Sequence, residues 1–101
     1  MFTSEFLRDS IKKNYYYVSR HADQERLKDN LTIPELEEAL VSGCILEEYA
    51  DTGRGLSCLV AGFTKVGKPL HLVCGVRGSE LVLITVYIPT PPKFKTVYER
   101  G

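Results

Sequence analysis

A histidine and a tyrosine in the C-terminal half of the chain have the residue types and the spacing of a proton-transfer pair. His71 and Tyr87 lie in consecutive apolar runs separated by the turn signal Gly78-Ser79. When a loop of residues 78–80 joins these runs as antiparallel strands, apolar side chains oppose one another and His71 lies opposite Tyr87. An imidazole, with a pKa near ~6.5, can take or give a proton at neutral pH, and a well-placed phenol can donate one. A hydrogen-bonded structural pair is the alternative interpretation.

Cations are predicted near this pair. Alternation along the strands puts Arg77 and Thr85 on the face of His71. Lys65 and Lys68 lie in the turn that precedes it. Metal-free cleavage of RNA needs a base for the 2′-hydroxyl proton, an acid for the leaving oxygen and a cation for the phosphorane charge. The sequence therefore predicts no metal, and assigns catalysis to His71, Tyr87 and Arg77 and RNA binding to Lys65, Lys68 and Thr85.

The same alternation predicts the neighbours of the histidine. A turn centred on residues 66–67 sets Gly62 opposite His71, which leaves open space beside the imidazole. The loop at 78–80 sets Arg77 opposite Leu81. Leu81 and Leu83 are then expected on the open face of the sheet, where a partner would cover them.

His21 and the C-terminal tail are further candidates. His21 follows Arg20 at the start of a predicted helix, and either catalysis or hydrogen bonding at the helix terminus would explain it. The tail, residues 89–101, interleaves cations with aromatic residues, a composition that stacks on bases and binds phosphates and that a disordered tail shares. Its candidate RNA-binding residues are Lys93, Lys95 and Arg100.

Helices and strands in a fixed order must position these groups. The predicted helices are 3–14, capped by Thr3 or Ser4, 19–29, capped by Ser19, and 32–43, which opens with a capping box of Thr32 and Glu35. The predicted strands are 15–18, 44–50, 56–64, 69–77 and 81–88. The order α-β-α-α-β-β-β-β indicates an α+β fold, with helices packed on one face of a curved antiparallel sheet.

Length and composition restrict the class of protein. A chain of 101 residues with 44% hydrophobic and 26% charged residues is expected to form one globular domain, residues 1–88, followed by the extended tail 89–101. Proline keeps the tail from continuing the sheet. No apolar run approaches the ~18 residues of a membrane span, and the N-terminus lacks the features of a signal peptide, which predicts a cytoplasmic protein without membrane contact. The three cysteines lack Cys-x-x-Cys spacing and are expected to be reduced core thiols.

A net charge of zero conceals a gradient along the chain. Residues 31–51 carry six acidic and no basic residues, whereas residues 52–101 carry seven basic and two acidic ones. The basic half is compatible with a phosphate-binding surface. A basic sheet that packs against its own acidic helix explains the pattern equally well.

Four motifs spread over the chain form a recognisable set. They are Ser19-x-His21-Ala22, Ile33-x-Glu35-x-x-Glu38-Ala39-Leu40-x-x-Gly43, Gly62-Phe63-Thr64-x-x-Gly67-Lys68-Pro69-Leu70-His71 and Ile84-Thr85-Val86-Tyr87-Ile88-Pro89. Together they resemble the small domain-of-unknown-function family numbered 4258, over about residues 15–98. Arg26 lies one position later than the arginine usual in that family after His-Ala.

The resemblance implies a function. That family is similar to the RelE, BrnT and MqsR superfamily of small toxins, in which helices pack against an antiparallel sheet whose open face handles RNA. It implies a type II toxin, an mRNA-cleaving endoribonuclease that needs no cofactor. The implied partners are RNA, free or on the ribosome, and an antitoxin with a YgiT-type (MqsA-like) zinc finger encoded nearby, lying over the open face and the tail. The alternative is a non-catalytic protein-binding module with the same fold.

Overall fold

Over residues 1–88 the order of helices and strands is the predicted one, and two short strands of the tail were not predicted. The computed structural model describes residues 2–49 and 55–89, together with the backbone of residues 94–96 and 99–100. The elements are α1 (Ser4–Lys12), β1 (Tyr16–Val18), α2 (Arg20–Lys28), α3 (Ile33–Val41), β2 (Cys44–Tyr49), β3 (Ser57–Phe63), β4 (Pro69–Arg77), β5 (Glu80–Tyr87), β6 (Phe94–Thr96) and β7 (Glu99–Arg100). The tail strands β6 and β7 pair with each other, in a sheet separate from that of β1–β5.

Each helix of the domain begins where a hydroxyl or carboxylate side chain caps it. The Thr3 side chain accepts a hydrogen bond from the Phe6 N–H at 3.0 Å, and α1 follows. In the predicted capping box, Thr32 Oγ1 accepts from the Glu35 N–H at 3.2 Å, and Glu35 Oε1 accepts from the Thr32 N–H at 2.9 Å. The latter bond lowers the pKa of Glu35. Among the described residues, no helix is long and apolar enough to cross a membrane.

The main sheet has the strand order β1-β5-β4-β3-β2. The strands β2 to β5 form the predicted antiparallel meander. The strand β1 departs from the antiparallel prediction, because it pairs with β5 in parallel, Tyr17 opposite Val82. Its residues alone do not reveal this direction, since the long path through α2, α3 and the meander decides it.

The helices cover one face of the main sheet and form the core with it. Buried leucines of α1 and α3 pack with Leu70, Leu72 and Val86 of the sheet. At Gly62 a Cβ atom would lie 1.9 Å from the Ala39 carbonyl oxygen. Glycine is therefore required for α3 to approach β3 this closely.

The turn between β4 and β5 differs from the predicted one. It contains the residues Gly78 and Ser79 alone, so Arg77 lies opposite Glu80 and not opposite Leu81. A β-bulge at Ile84 then inserts one residue into β5, which restores the predicted pairs Val73 with Thr85 and His71 with Tyr87. The predicted pairing of β4 with β5 is therefore wrong between the turn and the bulge and right beyond the bulge. The inserted residue offsets the turn that is one residue shorter than predicted.

The bulge also exchanges the faces of the residues that precede it. Leu81 and Leu83 lie in the core, and the prediction that they line the open face is wrong. Val82 and Ile84 take that position. Ser19 holds the bulge, since its N–H donates to the Leu83 carbonyl oxygen at 2.9 Å and its hydroxyl to that of Ile84 at 3.1 Å.

The turn between β3 and β4 is one residue longer than the prediction requires. The Thr64 N–H donates to the Lys68 carbonyl oxygen at 3.0 Å, and Gly67 adopts a φ of +86° between them. Ala61, not Gly62, therefore lies opposite His71. The open space predicted beside the imidazole is filled by a buried residue, and that prediction is wrong.

Candidate functional site

The sheet face turned away from the helices, called here the outer face, carries the predicted catalytic pair. Strand register aligns its residues in rows that run across the strands. The histidine row contains Cys44, Ala61, His71 and Tyr87. The middle row contains Glu47, Leu59, Val73 and Thr85. The glycine row contains Tyr49, Ser57, Gly75, Val82 and Tyr17.

His71 and Tyr87 are neighbours on adjacent strands, as the alternation predicts. Their ring centroids are 5.5 Å apart and the ring planes meet at 64°, an edge-to-face contact. His71 is 0% exposed, and its neighbour Leu59 is 1% exposed, whereas Tyr87 is half-buried. The phenol is therefore the more accessible member of the pair.

Arg77 lies far from this pair although it shares the strand and the face. Six residues of extended strand separate it from His71, a distance of ~20 Å. Arg77 is exposed at the end of β4. Thr85 stays close to the pair, because it belongs to the adjacent middle row. Alternation gives the face of a residue but not its distance along the strand, so the structure brings Thr85 and not Arg77 to the imidazole.

The turn lysines contact the acidic side of α3. Lys68 Nζ lies 3.5 Å from Glu35 Oε2, and the Lys65 N–H donates to Glu38 Oε1 at 2.9 Å. The Lys68 ion pair agrees with the alternative in which the basic sheet packs against the chain's own acidic helix, whereas Lys65 contributes its backbone N–H and not its charge. Lys68 is partly neutralised by its partner.

His21 lies in the exposed first turn of α2. Its Nε2 is 3.1 Å from Glu25 Oε1, one helical turn later. Ser19, two residues before it, contacts the bulge of β5, so this turn lies beside β5. Arg26 has a structural role, since it pairs with Asp23 at 2.7 Å and donates to the Leu31 carbonyl oxygen.

The tail candidates fall largely outside the described structure. Lys93 lies outside the described residues. Lys95 and Arg100 belong to β6 and β7, of which the backbone alone is described. Their assignment to RNA binding stays a prediction from the sequence.

The cysteines separate into a buried pair and an exposed residue. Cys58 and Cys74 lie opposite one another in the core, as predicted. A hydrogen bond with Cys58 and burial raise the pKa of Cys74 well above its ordinary value. Cys44 is exposed at the edge strand β2, so the prediction of a core thiol is wrong there. Within residues 2–49 and 55–89, no group of three His, Cys, Asp or Glu side chains is placed to hold a metal ion.

A pocket of about 450 Å³ at the glycine row was not predicted. Ser57, Gly75, Arg77 and Ile84 are among its lining residues. The sequence contains one signal for it, a glycine inside an apolar strand, which often marks a close approach or a hollow.

These features define an α+β domain in which helices cover one face of the main sheet and the other face carries an imidazole–phenol pair and a pocket. The chain belongs to the domain of unknown function family DUF4258, whose sequence profile matches residues 18–88. No curated protein and no solved structure gives a significant match.

Proposed function

We propose that the protein is a cytoplasmic toxin of a type II toxin-antitoxin system that cleaves RNA without a metal ion. The observation that carries this proposal is the contact between His71 and Tyr87 on the sheet face that the helices leave uncovered. An imidazole and a phenol in ring contact provide a base and an acid within one site. The resemblance to small RNA-directed toxins supports the same reaction.

The reaction divides between the two side chains. The His71 imidazole accepts the proton of a ribose 2′-hydroxyl as that oxygen attacks the neighbouring phosphorus, and the bond from phosphorus to the 5′ oxygen breaks. Tyr87 donates its proton to the leaving 5′ oxygen, which gives a 2′,3′-cyclic phosphate and a 5′-hydroxyl. A proton transfer from imidazolium to phenolate then restores the pair.

Burial determines the order in which the pair meets RNA. The half-buried phenol of Tyr87 is reached first, whereas His71 is enclosed. The proposal therefore requires the histidine row to open when RNA binds. Thr85, in the row beside the pair, offers a hydroxyl to a phosphate oxygen.

The variants Tyr87→Phe and His71→Gln test the proposal, with Tyr17→Phe as the matched control. Tyr17 is an exposed tyrosine of the same sheet face, in a different row. We expect Tyr87→Phe and His71→Gln to lower the rate on a DNA oligonucleotide with a single ribonucleotide on the order of 10²–10⁴-fold. Thermal unfolding identifies a variant that lost its fold. Cleavage that stays unchanged in folded Tyr87→Phe and His71→Gln would contradict the proposal.

A non-catalytic protein-binding module is the second candidate, and the enclosure of His71 together with the distance of Arg77 favours it. Whether the protein is an RNA-cleaving toxin or a binding module, we propose the same partner. This partner is an antitoxin with a zinc finger of the YgiT (MqsA-like) type, encoded nearby. It would cover the outer face at Ile84, which is 36% exposed. Co-expression and size-exclusion chromatography test the complex, and separate elution of the two proteins at micromolar concentration contradicts it. Growth arrest on induction, reversed by the adjacent gene, separates the toxin from the module.

A further inference from the structure

The glycine row forms a hollow on the outer face, ~13 Å along β4 from the histidine row. Gly75 occupies its centre. A Cβ atom there would lie 2.9 Å from Ile84 Cδ1, so the absence of a side chain lets Ile84 of the bulge lie across β4. The floor of the hollow is therefore apolar, formed by the Ile84 side chain where it lies over the Gly75 backbone.

The walls of the hollow combine apolar and polar groups. Leu56 and Ile84 both line the pocket and are 43% and 36% exposed, so apolar surface is open to a ligand there. The Tyr49 side chain and the Ser57 residue line the same pocket from β2 and β3. The pocket volume of about 450 Å³ lies in the range of small-molecule sites.

An arginine without an ionic partner stands at the rim. Arg77 lines the pocket and is exposed. Glu80 lies opposite it in register, yet across residues 2–49 and 55–89 Arg77 forms no ion pair. A guanidinium presents parallel N–H donors to phosphate oxygens, and this one is available for an anion.

We propose that the hollow between Tyr49, Gly75 and Arg77 binds one nucleotide of single-stranded RNA, its base on the apolar floor and its phosphate on Arg77. The apolar floor and the guanidinium at the rim together indicate the class of ligand, because a nucleotide has a planar base at a short distance from an anionic phosphate. This inference rests on the proposed RNA function. Arg77 lies ~20 Å along β4 from His71. The nucleotide in the hollow is therefore not the one that is cut, and the hollow sets base preference and not the chemistry.

Binding to short 2′-O-methyl RNA tests the subsite separately from cleavage, because methylation removes the attacking hydroxyl. Homopolymers of each base are titrated against the full-length parent, Arg77→Ala and Gly75→Ala. Arg8→Ala is the matched control, since Arg8 is an exposed arginine on α1, in the helix layer. We expect Arg77→Ala to weaken binding on the order of 10-fold and to reduce the slope of log K against log salt by about 1. We expect Gly75→Ala to change the base preference, because its Cβ displaces Ile84.

The outcomes separate this inference from the proposed function. Binding lost in Arg77→Ala and kept in Arg8→Ala supports the subsite, even if the parent never cleaves RNA. Equal losses in both variants, no loss in Arg77→Ala, or no binding by the parent overturns it. Cleavage of unmodified RNA by the parent, with Arg77→Ala unaltered in affinity and base preference, overturns the subsite and leaves the proposed function standing.

Discussion

The histidine row and the glycine row lie on the same face of the same strands, yet one is enclosed and the other is open. His71 and Ala61 are fully buried at the first. At the second, Gly75 and Val82 are buried, but Ile84 and Leu56 beside the row are substantially exposed and Arg77 extends into solvent. The groups suited to proton transfer therefore lie in the enclosed region, and the groups suited to holding an anion lie in the open one.

This difference teaches that face and accessibility are separate properties of a strand residue. Alternation places His71 and Arg77 on one face, but the bulge at Ile84 divides that face into two regions. Ser19 stabilises the division, because its hydroxyl binds the carbonyl oxygen that the bulge exposes. The positions of reaction and of recognition on this sheet are thus set by a local irregularity.

The largest expected effect compares two aliphatic residues of the outer face, one beside the histidine row and one at the hollow of the glycine row. Leu59, in the middle row, is 1% exposed, whereas Ile84 is 36% exposed. We expect Leu59→Ala to lower the free energy of unfolding by ~2–5 kcal/mol because it leaves a cavity, and Ile84→Ala by about 1 kcal/mol. Urea denaturation measures both. Equal losses would show that the two regions are equally enclosed.

Thiol reactivity sharpens the limits of the enclosed region. Cys44 ends the histidine row at the exposed edge strand, while Cys58 and Cys74 are buried on the opposite face. Because the pKa of Cys74 is raised and both buried thiols require an opening of the fold, we expect them to react at least ~10²-fold more slowly than Cys44 with a chromogenic disulfide reagent. The variant Cys44→Ser should lose the fast phase entirely. A second fast thiol in the native protein contradicts the burial.

The variant Ser19→Ala tests the border between the regions. Ser19 caps α2 and also binds the bulge, whereas Thr3 caps α1 alone. We expect Thr3→Ala to cost about 1 kcal/mol of stability and Ser19→Ala roughly 1 kcal/mol more, for the carbonyl left without its donor. Chemical denaturation of both variants gives the difference. An identical loss of unfolding free energy in Ser19→Ala and Thr3→Ala would contradict the role of Ser19 in stabilising the bulge.

An effect confined to alkaline pH separates two adjacent tyrosines of β1. The Tyr16 hydroxyl donates to Glu37 Oε2 at 2.5 Å, and burial together with this bond raises its pKa to about 12. The raised pKa favours the protonated phenol in the folded state. That stability is complete below a pH of ~10, the ordinary phenol pKa, and is lost as the pH rises toward 12. We expect Tyr16→Phe to abolish this loss and Tyr17→Phe to retain it, measured by urea unfolding across this pH range. A loss that persists in Tyr16→Phe would assign it to another group.

The sequence by itself determined the local structure. Thr3, Ser19 and Thr32 begin helices because each satisfies a backbone N–H that the first turn leaves free. The period-2 pattern after Cys44 determined the strands β2–β5 and their order along the chain. The same pattern placed His71 beside Tyr87. Each of the two strands carries a polar residue on the outer face, and few strand registers keep apolar residues opposite apolar ones.

The tertiary structure decided the features that change when strand register shifts by one residue, and the distances between the residues of the site. A turn one residue shorter and a compensating bulge moved Leu81 and Leu83 into the core, and no composition signal marks Ile84 as the inserted residue. The parallel pairing of β1 and the burial of His71 result from contacts between segments distant in sequence. Arg77 and His71 alternate along β4 and so lie on one face of the sheet, but six residues of extended strand separate them by ~20 Å. Local propensities act within a few residues, whereas long-range packing defines the site. For that reason the sequence alone predicted the residue types of the site but not the shape of the site.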